Sequence, residues 1–434
     1  MTSIVDDIDE STHRTRNAVW GSVALAGQAL SFIVLAPLLG NTKGASVLGV
    51  WSLTSSILAW ASLFDFGVGE ATAQRVAGAG GRASTRPEVE RLVRSGRYEL
   101  GRYCWIAAVG LTPLLLGMAH VLADKSIDEI PLALYWLTTC FAFLGGLPAT
   151  ALSAVHIGRG EIWAQRIPLL AETVVTTMVS TLVLVPSANA LLVLAMASLV
   201  GRASGIVVRR EIFRRVMGWL PSRRVDRAEF SRKVGREFLL ASLGTRILLA
   251  SDTLILGLSA GIREVGAYAF TFRCAYTSMQ VIWLLSDHAF AAMSRMTGTG
   301  DKKAAQKLLR HVVKQTLVLG SLTAICFSIL ARPMLALLGK NLLVPEQIVV
   351  LVAGFILVHS VVHVLGIAGQ GLYAQRVVGR IVIVGALANL SLSLLLVAPY
   401  GASGLLIGTL TADLAISLPC LVVVCRRQLS LMSG

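Results

Sequence analysis

Gly158-Arg159-Gly160-Glu161-Ile162-Trp163-Ala164-Gln165-Arg166 and Gly369-Gln370-Gly371-Leu372-Tyr373-Ala374-Gln375-Arg376 carry one pattern: Gly-x-Gly, an aromatic, then Ala-Gln-Arg. They lie about 210 residues apart, nearly half of a chain of 434 residues. Each follows one long apolar run and precedes another. Leu48-Gly49-Val50-Trp51 and Val265-Gly266-Ala267-Tyr268 recur at a similar distance, about 217 residues. Matching motifs held at half-chain spacing read as a duplicated unit.

The composition says what kind of unit it is. Hydrophobic residues make up 55% of the chain and charged residues only 15%, and the mean hydropathy is +0.72. Soluble domains carry about 25% charged residues. These values exclude a soluble globular enzyme, a disordered chain and a disulfide-framed secreted domain. Cys104, Cys140, Cys274, Cys326, Cys420 and Cys425 all fall in apolar stretches without a CxxC pair, which reads as buried, reduced thiols. Asp6, Asp7, Asp9 and Glu10 precede Arg14, Arg16 and the first apolar run. A cleavable signal would put its positive charge first, so the first run reads as an uncleaved span.

A membrane span needs about 20 mostly apolar residues. Windows of that kind fall at 17–40, 45–66, 103–123, 131–157, 167–186, 189–208, 238–258, 265–293, 312–333, 347–370, 380–398 and 402–424. The net charge of +15 fixes their orientation. With the N-terminus inside, about 32 of the 39 Lys and Arg lie on the cytoplasmic side and about 5 opposite. The expected fold is an all-α polytopic membrane protein of about 12 transmembrane helices, in two pseudo-symmetric six-helix bundles around a central cavity. Its parts are a cytoplasmic tail (1–16), an N-terminal bundle (17–208), a basic linker (209–237), a C-terminal bundle (238–424) and a second cytoplasmic tail (425–434).

Two segments between spans are amphipathic. Thr85 and Glu88 fit a capping box with Pro87 in the first turn, after which Val89, Leu92, Val93, Gly96 and Leu100 share a face. Ala304, Ala305, Leu308, Leu309 and Val312 repeat the device among Lys303, Lys307 and Arg310. Both read as helices lying on the inner headgroup layer, in contact with anionic lipid rather than nucleic acid.

In this frame the sequence resembles the polysaccharide transporter family of the MOP flippase superfamily (multidrug, oligosaccharidyl-lipid, polysaccharide). The residues that carry the likeness are Leu48-Gly49-Val50-Trp51-Ser52-Leu53, Asp65-Phe66-Gly67-Val68-Gly69-Glu70-Ala71 and Ser251-Asp252-Thr253-Leu254-Ile255-Leu256-Gly257, with Val265-Gly266-Ala267-Tyr268. Asn389-Leu390 and Pro399-Tyr400-Gly401-Ala402-Ser403-Gly404 fit the family's last hairpin. The chain departs from the family at Ala36-Pro37-Leu38-Leu39-Gly40, which lacks an Arg, and at Val47 and Leu48, where an acid and an aromatic are common. The resemblance implies a flippase that moves an undecaprenyl-diphosphate-linked oligosaccharide repeat unit from the inner to the outer leaflet, serving O-antigen, capsule or exopolysaccharide synthesis. It also implies the bacterial cytoplasmic (inner) membrane, with a polysaccharide polymerase and glycosyltransferases as partners.

Such a substrate carries an anionic diphosphate through hydrocarbon, so cations inside spans are the first candidates. Arg246 and Arg273 read as the intramembrane arginines and the substrate-binding pair, since a guanidinium fork suits phosphate. Asp252, Asp413 and Glu172, with His359 and His363 one helical turn apart, are the polar or ion-coupling candidates. An Arg246–Asp252 pair is the structural alternative for the first of these, and capping of Arg166 is the alternative for Glu172. Asp65 and Asp287 occupy comparable places in the two halves and are gating candidates. Gly145-Gly146 with Pro148, and Gly366, Gly369 and Gly371, are packing or hinge positions. No HExxH or other metal signature and no P-loop occurs. No cofactor is expected beyond H+ or Na+ coupling. The rival readings are a MATE-like drug or cation antiporter, which calls for a smaller cavity dominated by carboxylates whereas here arginines accompany the acids, and a membrane polymerase or ligase. The enzyme reading is disfavoured by the lack of a large outer loop.

Overall fold

A computed structural model describes residues 2–78, 85–123, 127–184, 187, 189–222, 232–298, 300–339 and 342–432. Its elements are helical: α1 (Thr2–Thr42), α2 (Ala45–Ala61), a 3-10 turn (Ser62–Asp65), α3 (Val68–Gly78), α4 (Arg86–Leu122), α5 (Glu129–Gly158), α6 (Trp163–Leu184) and α7 (Ala190–Met217). They continue with α8 (Arg232–Ala260), α9 (Ile262–Gly298), α10 (Lys302–Leu338), α11 (Glu346–Gly371), α12 (Gln375–Ala412), a π turn (Asp413–Ser417) and α13 (Leu418–Leu431). Among the described residues, nine helices are long and apolar enough to cross a membrane. A helix pairs its backbone groups within the segment, which is what a hydrocarbon solvent demands.

One of those nine runs from Gln375 to Leu431, 57 residues, and is a hairpin rather than a rod. Gly401 breaks it with φ 56° and ψ −136°, two residues after Pro399. Beyond the break the chain doubles back. Gly404 abuts the Leu396 carbonyl, and a Cβ on Gly408 would lie 3.0 Å from the Ser393 nitrogen. Thr409 bonds Asn389 at 2.9 Å. Partner numbers fall as the others rise, as antiparallel packing requires. The Pro-Tyr-Gly stretch is the turn, and glycine is there because φ is positive.

The chain divides into two compact units, Met1–Leu38 with Leu58–Leu239, and Leu39–Ile57 with Leu240–Gly434. The stretch 39–57, read from the sequence as part of the first bundle, groups with the second unit. The reason is local. A Cβ on Gly266 would lie 3.1 Å from Leu48 Cγ and 3.2 Å from both the Ala45 carbonyl and the Gly49 nitrogen, while Gly49 faces the Ile262 carbonyl. The two copies of the repeated motif therefore pack on each other.

In the first unit α6 and α7 cross closely. Gly201 and Gly205, four apart on α7, face the Glu172 and Pro168 carbonyls of α6 at 2.9 and 3.4 Å, measured from an ideal Cβ. This is the small-xxx-small device that lets membrane helices approach. Asn17 ties α1 to the α5–α6 connection: it donates to the Gly160 carbonyl (2.9 Å) and accepts from the Trp163 N–H (3.0 Å). Arg16 lies 3.7 Å over the Trp163 ring.

The Thr85–Glu88 capping box is formed, with Pro87 in the first turn. The helix it starts is α4 itself, and its apolar face does not lie on lipid. Val89, Val93 and Leu100 are fully buried with Val68, Val76, Leu152 and Phe213 in one core cluster. Ala305 is likewise buried, with Leu308 and Leu309 packed beside the same core as Leu365 and Leu421. Both amphipathic segments turn their apolar side to protein, which corrects the headgroup-layer reading. An apolar stripe alone does not say whether lipid or protein covers it.

The repeated loops end their helices alike. Gly160 (φ +76°) and Tyr373 (φ +60°) adopt the left-handed conformation. The next N–H then reaches back five residues, Glu161 to the His156 carbonyl (2.8 Å) and Ala374 to the Gly369 carbonyl (3.0 Å). Both are Schellman closures. The shared Ala-Gln-Arg follows Tyr373 directly but begins four residues after Gly160, so the first loop holds an extra turn.

Candidate functional site

Among the described residues of the second unit, a polar cluster surrounds Asp252 on α8. Its Oδ2 lies 3.4 Å from the Tyr268 hydroxyl of α9 and 3.3 Å from the Thr409 hydroxyl. Thr409 also reaches Asn389 Oδ1, which accepts from Ser393 at 3.2 Å. The Thr409 hydroxyl has a single proton, so it serves Asp252, Asn389 or the Leu405 carbonyl (3.0 Å) at any instant, not all three. Asp252 is 3% exposed, and its Oδ1 and the Asn389 Nδ2 are buried without hydrogen-bond partners. A buried carboxylate with so few donors is undercompensated. Among the described residues it makes no ion pair with Arg246.

Further along the hairpin, Asp413 Oδ2 lies 2.8 Å from His359 Nδ1 of α11. Both side chains are buried. His363, one turn on, stacks on Trp283 with 4.3 Å between ring centroids. The two histidines therefore have different partners, one acidic and one aromatic.

Arg246 on α8 and Arg273 on α9 are both exposed. Arg273 lies near the Tyr276 ring, 5.8 Å from its centroid. In this unit Asp252 and Asp413 are buried while Arg246 and Arg273 are exposed.

Glu172 belongs to the first unit and does not cap Arg166. Both of its carboxylate oxygens lie 3.0 Å from Arg202 Nη1, and Arg202 Nη2 donates to the Phe143 carbonyl at 3.1 Å. Gly146 makes room for the guanidinium, with Arg202 Nε against the place a Cβ would fill. Arg209, two turns along α7, is 3% exposed, with Nε and Nη1 buried and unpartnered. Arg246 and Arg273 are therefore not the only arginines embedded in helices. Arg202 lies inside the 189–208 window, and Arg209 at the edge of the basic stretch that follows it.

Asp65 ends the 3-10 turn and accepts from the Gly67 N–H at 2.7 Å, closing the break between α2 and α3 where Phe66 is left-handed (φ 50°). That is a local capping geometry. The side chain of Asp287 lies outside the described residues. Ser393 and Thr409 are not among the sequence candidates, and Tyr268 and Asn389 enter there only as carriers of the repeat and the family likeness. The available signal was Asn389 and Ser393, one turn apart in an otherwise apolar span. Among the described residues no group of three or more His, Cys, Asp or Glu is arranged to hold a metal ion.

No protein-family model matches the chain, and no curated protein matches it. Solved structures do. An inward-facing multidrug-resistance MATE family transporter of the MOP superfamily superposes with a TM-score of 0.71 at 11% identity, covering 96% of this chain and 98% of that one. The lipid II flippase MurJ in an inward closed conformation also gives 0.71 at 11%, covering 96% and 89%. A MOP superfamily transporter from Pyrococcus furiosus, described as having a binding pocket of reverse polarity, gives 0.67 at 12%, covering 97% and 96%. The chain has the all-helical membrane fold of the MOP-superfamily transporters.

Proposed function

We propose that the protein is a flippase that carries an undecaprenyl-diphosphate-linked oligosaccharide repeat unit from the inner to the outer leaflet of a bacterial cytoplasmic membrane by alternating access. The observation that carries this reading is the polarity of the second unit: Arg246 and Arg273 are exposed, while Asp252 and Asp413 are buried. A phosphate-bearing substrate needs accessible cations. The likeness to a lipid II flippase supports a lipid-linked cargo. In this reading Arg246 and Arg273 contact the diphosphate, and the chain moves its substrate without chemical change. Its partners are anionic lipids and the enzymes that build and polymerise the unit.

A MATE-like drug or cation antiporter is the second reading, favoured by an equal likeness to a MATE transporter. It calls for an acid open to a cationic substrate. Buried Asp252 fits a coupling role better, taking up H+ or Na+ as the carrier cycles.

Transport of a lipid-linked oligosaccharide in proteoliposomes tests the reading. Arg246→Ala is expected to stop flux while the protein still inserts. Unchanged flux in that variant, or export of a cationic drug in place of lipid-linked sugar, overturns it.

A further inference from the structure

Arg209 of α7 is 3% exposed, and its Nε and Nη1 are buried without hydrogen-bond partners. Among the described residues no carboxylate forms an ion pair with it. Both oxygens of Glu172, the acid of the α6–α7 crossing, are held by Arg202. The buried acids of the first unit among the described residues, Glu99 and Glu161, have cations of their own. Glu99 lies 3.8 Å from Arg102, and Glu161 lies between His156 and Arg159. A guanidinium carries five N–H donors and no acceptor, and unlike a lysine it does not shed its charge on burial.

The register of the helices places Arg209. Gly146 of α5 faces Arg202, and the His156 ring meets the Phe213 ring at 5.5 Å. The two helices therefore run in one direction in a nearly constant register, which sets Arg209 level with Leu152 and Ser153. Leu152 shares a core cluster with Phe213. Ser153 is 3% exposed, and its hydroxyl is also buried without a partner. On the other side α6 runs antiparallel, with Gly201 against Glu172 and Thr176, and Gly205 against Pro168 and Glu172. One further turn brings Arg209 level with Ala164–Pro168, a stretch with no acid and with one more cation, Arg166. Arg209 stands eight residues before the end of α7, about 12 Å of helix.

Charge and geometry together specify what suits this place. Glu172 offsets Arg202, and Arg209 is left as a buried positive charge, which is costly unless paired. A neutral group can satisfy its N–H donors but not its charge. An anion with two or more oxygens does both, because the guanidinium fork matches such an edge in two parallel hydrogen bonds. We propose that Arg209, with the Ser153 hydroxyl at its level, forms an anion site inside the first unit that takes a phosphate group, from a lipid headgroup or from free phosphate. The site is distinct from Arg246 and Arg273 of the second unit. It does not rest on the cargo proposed above, and its test needs no transport.

The test is calorimetric titration of the delipidated full chain in an uncharged maltoside detergent. Inorganic phosphate is the probe in one arm, and dihexanoyl-phosphatidylglycerol below its micellar concentration in the other. Saturable binding to a single site is expected. Binding in both arms supports a site open to free phosphate, and binding of the lipid alone supports a headgroup site. Arg209→Gln is expected to weaken binding at least about tenfold, the effect of losing hydrogen bonds between charged groups. Arg210→Gln removes the same charge from the exposed neighbouring position and is expected to change affinity by no more than about threefold.

Melting temperatures separate a binding site from a packing role. Without probe, Arg209→Gln is expected to melt no lower than the parent, since it removes an uncompensated charge. With saturating probe, the parent is expected to melt above the variant. No binding in either arm, binding weakened equally by Arg210→Gln, or a variant that melts below the parent by the same amount with and without probe overturns the proposal. If Arg209→Gln does not fold, Arg209→Lys, which keeps the charge and loses the fork, and Ser153→Ala decide. Parental affinity in both of these overturns the site, and weakened binding in Arg209→Lys supports it.

Discussion

Arg202 sets Nη1 3.0 Å from both carboxylate oxygens of Glu172, across the α6–α7 crossing that Gly201 and Gly205 make possible. Arg209 sits two turns away on the same helix, buried, with Nε and Nη1 lacking hydrogen-bond partners. Breaking a buried pair by removing one partner is costlier than never having built it. Glu172→Gln is expected to destabilise the first unit by about 1–3 kcal/mol, reduced from the fully buried case because the Glu172 side chain keeps some exposure. Thermal unfolding in detergent reads it. The double variant Glu172→Gln with Arg202→Met is expected to recover part of the loss, and a purely additive double variant would show that the pair is not coupled.

That pair also shows what the sequence made legible and what it hid. The all-helical character, the Thr85 capping box and the Pro399–Gly401 turn follow from local chemistry, which the sequence displays directly. Partner choice does not. Glu172 and Arg202 are 30 residues apart, and only the Gly201–Gly205 crossing brings their helices close enough to meet. The buried face of α4 is the same lesson, since Val89 and Val93 form a stripe that either lipid or protein could cover. Asp252 stood out as an acid in an apolar run, but its partners Tyr268, Asn389 and Thr409 come from other elements and carry no charge to draw notice.

The motif repeated in the two halves gives a packing prediction. Gly49 faces the Ile262 carbonyl too closely to admit a Cβ, whereas an ideal Cβ on Gly379 of α12 meets nothing within 4 Å. Gly49→Ala is expected to cost about 1–3 kcal/mol through overpacking. Gly379→Ala is expected to be neutral or to stabilise by up to about 1 kcal/mol through helix propensity. Thermal melts of the two variants side by side are the measurement, and equal melting temperatures would refute the tight Gly49–Ile262 approach.

Glu161, in the connection between α5 and α6, gives a pH prediction. Burial pushes its carboxyl up, but the His156 hydrogen bond, together with Arg159, outweighs this and holds it below its ordinary 4.5. His156 Nδ1 is 2.8 Å away and Arg159 Nε 3.2 Å. A depressed carboxylate contributes stability that is present above its unfolded value and is lost as pH falls through the folded one. The parent should therefore lose melting temperature on acidification below about pH 4.5 more steeply than Glu161→Gln does. Parallel pH dependences in the two proteins would remove Glu161 from the acid response.

The basic excess gives a topological prediction. If about 32 of the 39 Lys and Arg face the cytoplasm, both ends of the chain lie inside. A phosphatase active only outside the cytoplasm is expected to be silent when fused at Gly434 and active when inserted near Leu343, in the α10–α11 connection. The reverse pattern would invert the orientation and, with it, the direction assigned to substrate movement.

Asp252 carries the coupling prediction. Asp252→Asn retains an oxygen to accept from Tyr268 and Thr409 but cannot hold a cation by charge. Differential cation affinity between two carrier states is what converts a gradient into transport, and typical coupling factors run from about 5-fold to 150-fold. Substrate flux in the variant is expected to lose its dependence on imposed H+ and Na+ gradients, falling to the level of the parent without a gradient. Because Arg246 and Arg273 are untouched, substrate binding in the variant should remain near the parent value. Loss of binding together with loss of gradient dependence would place Asp252 in substrate contact instead, and retention of both would move the coupling role to another group.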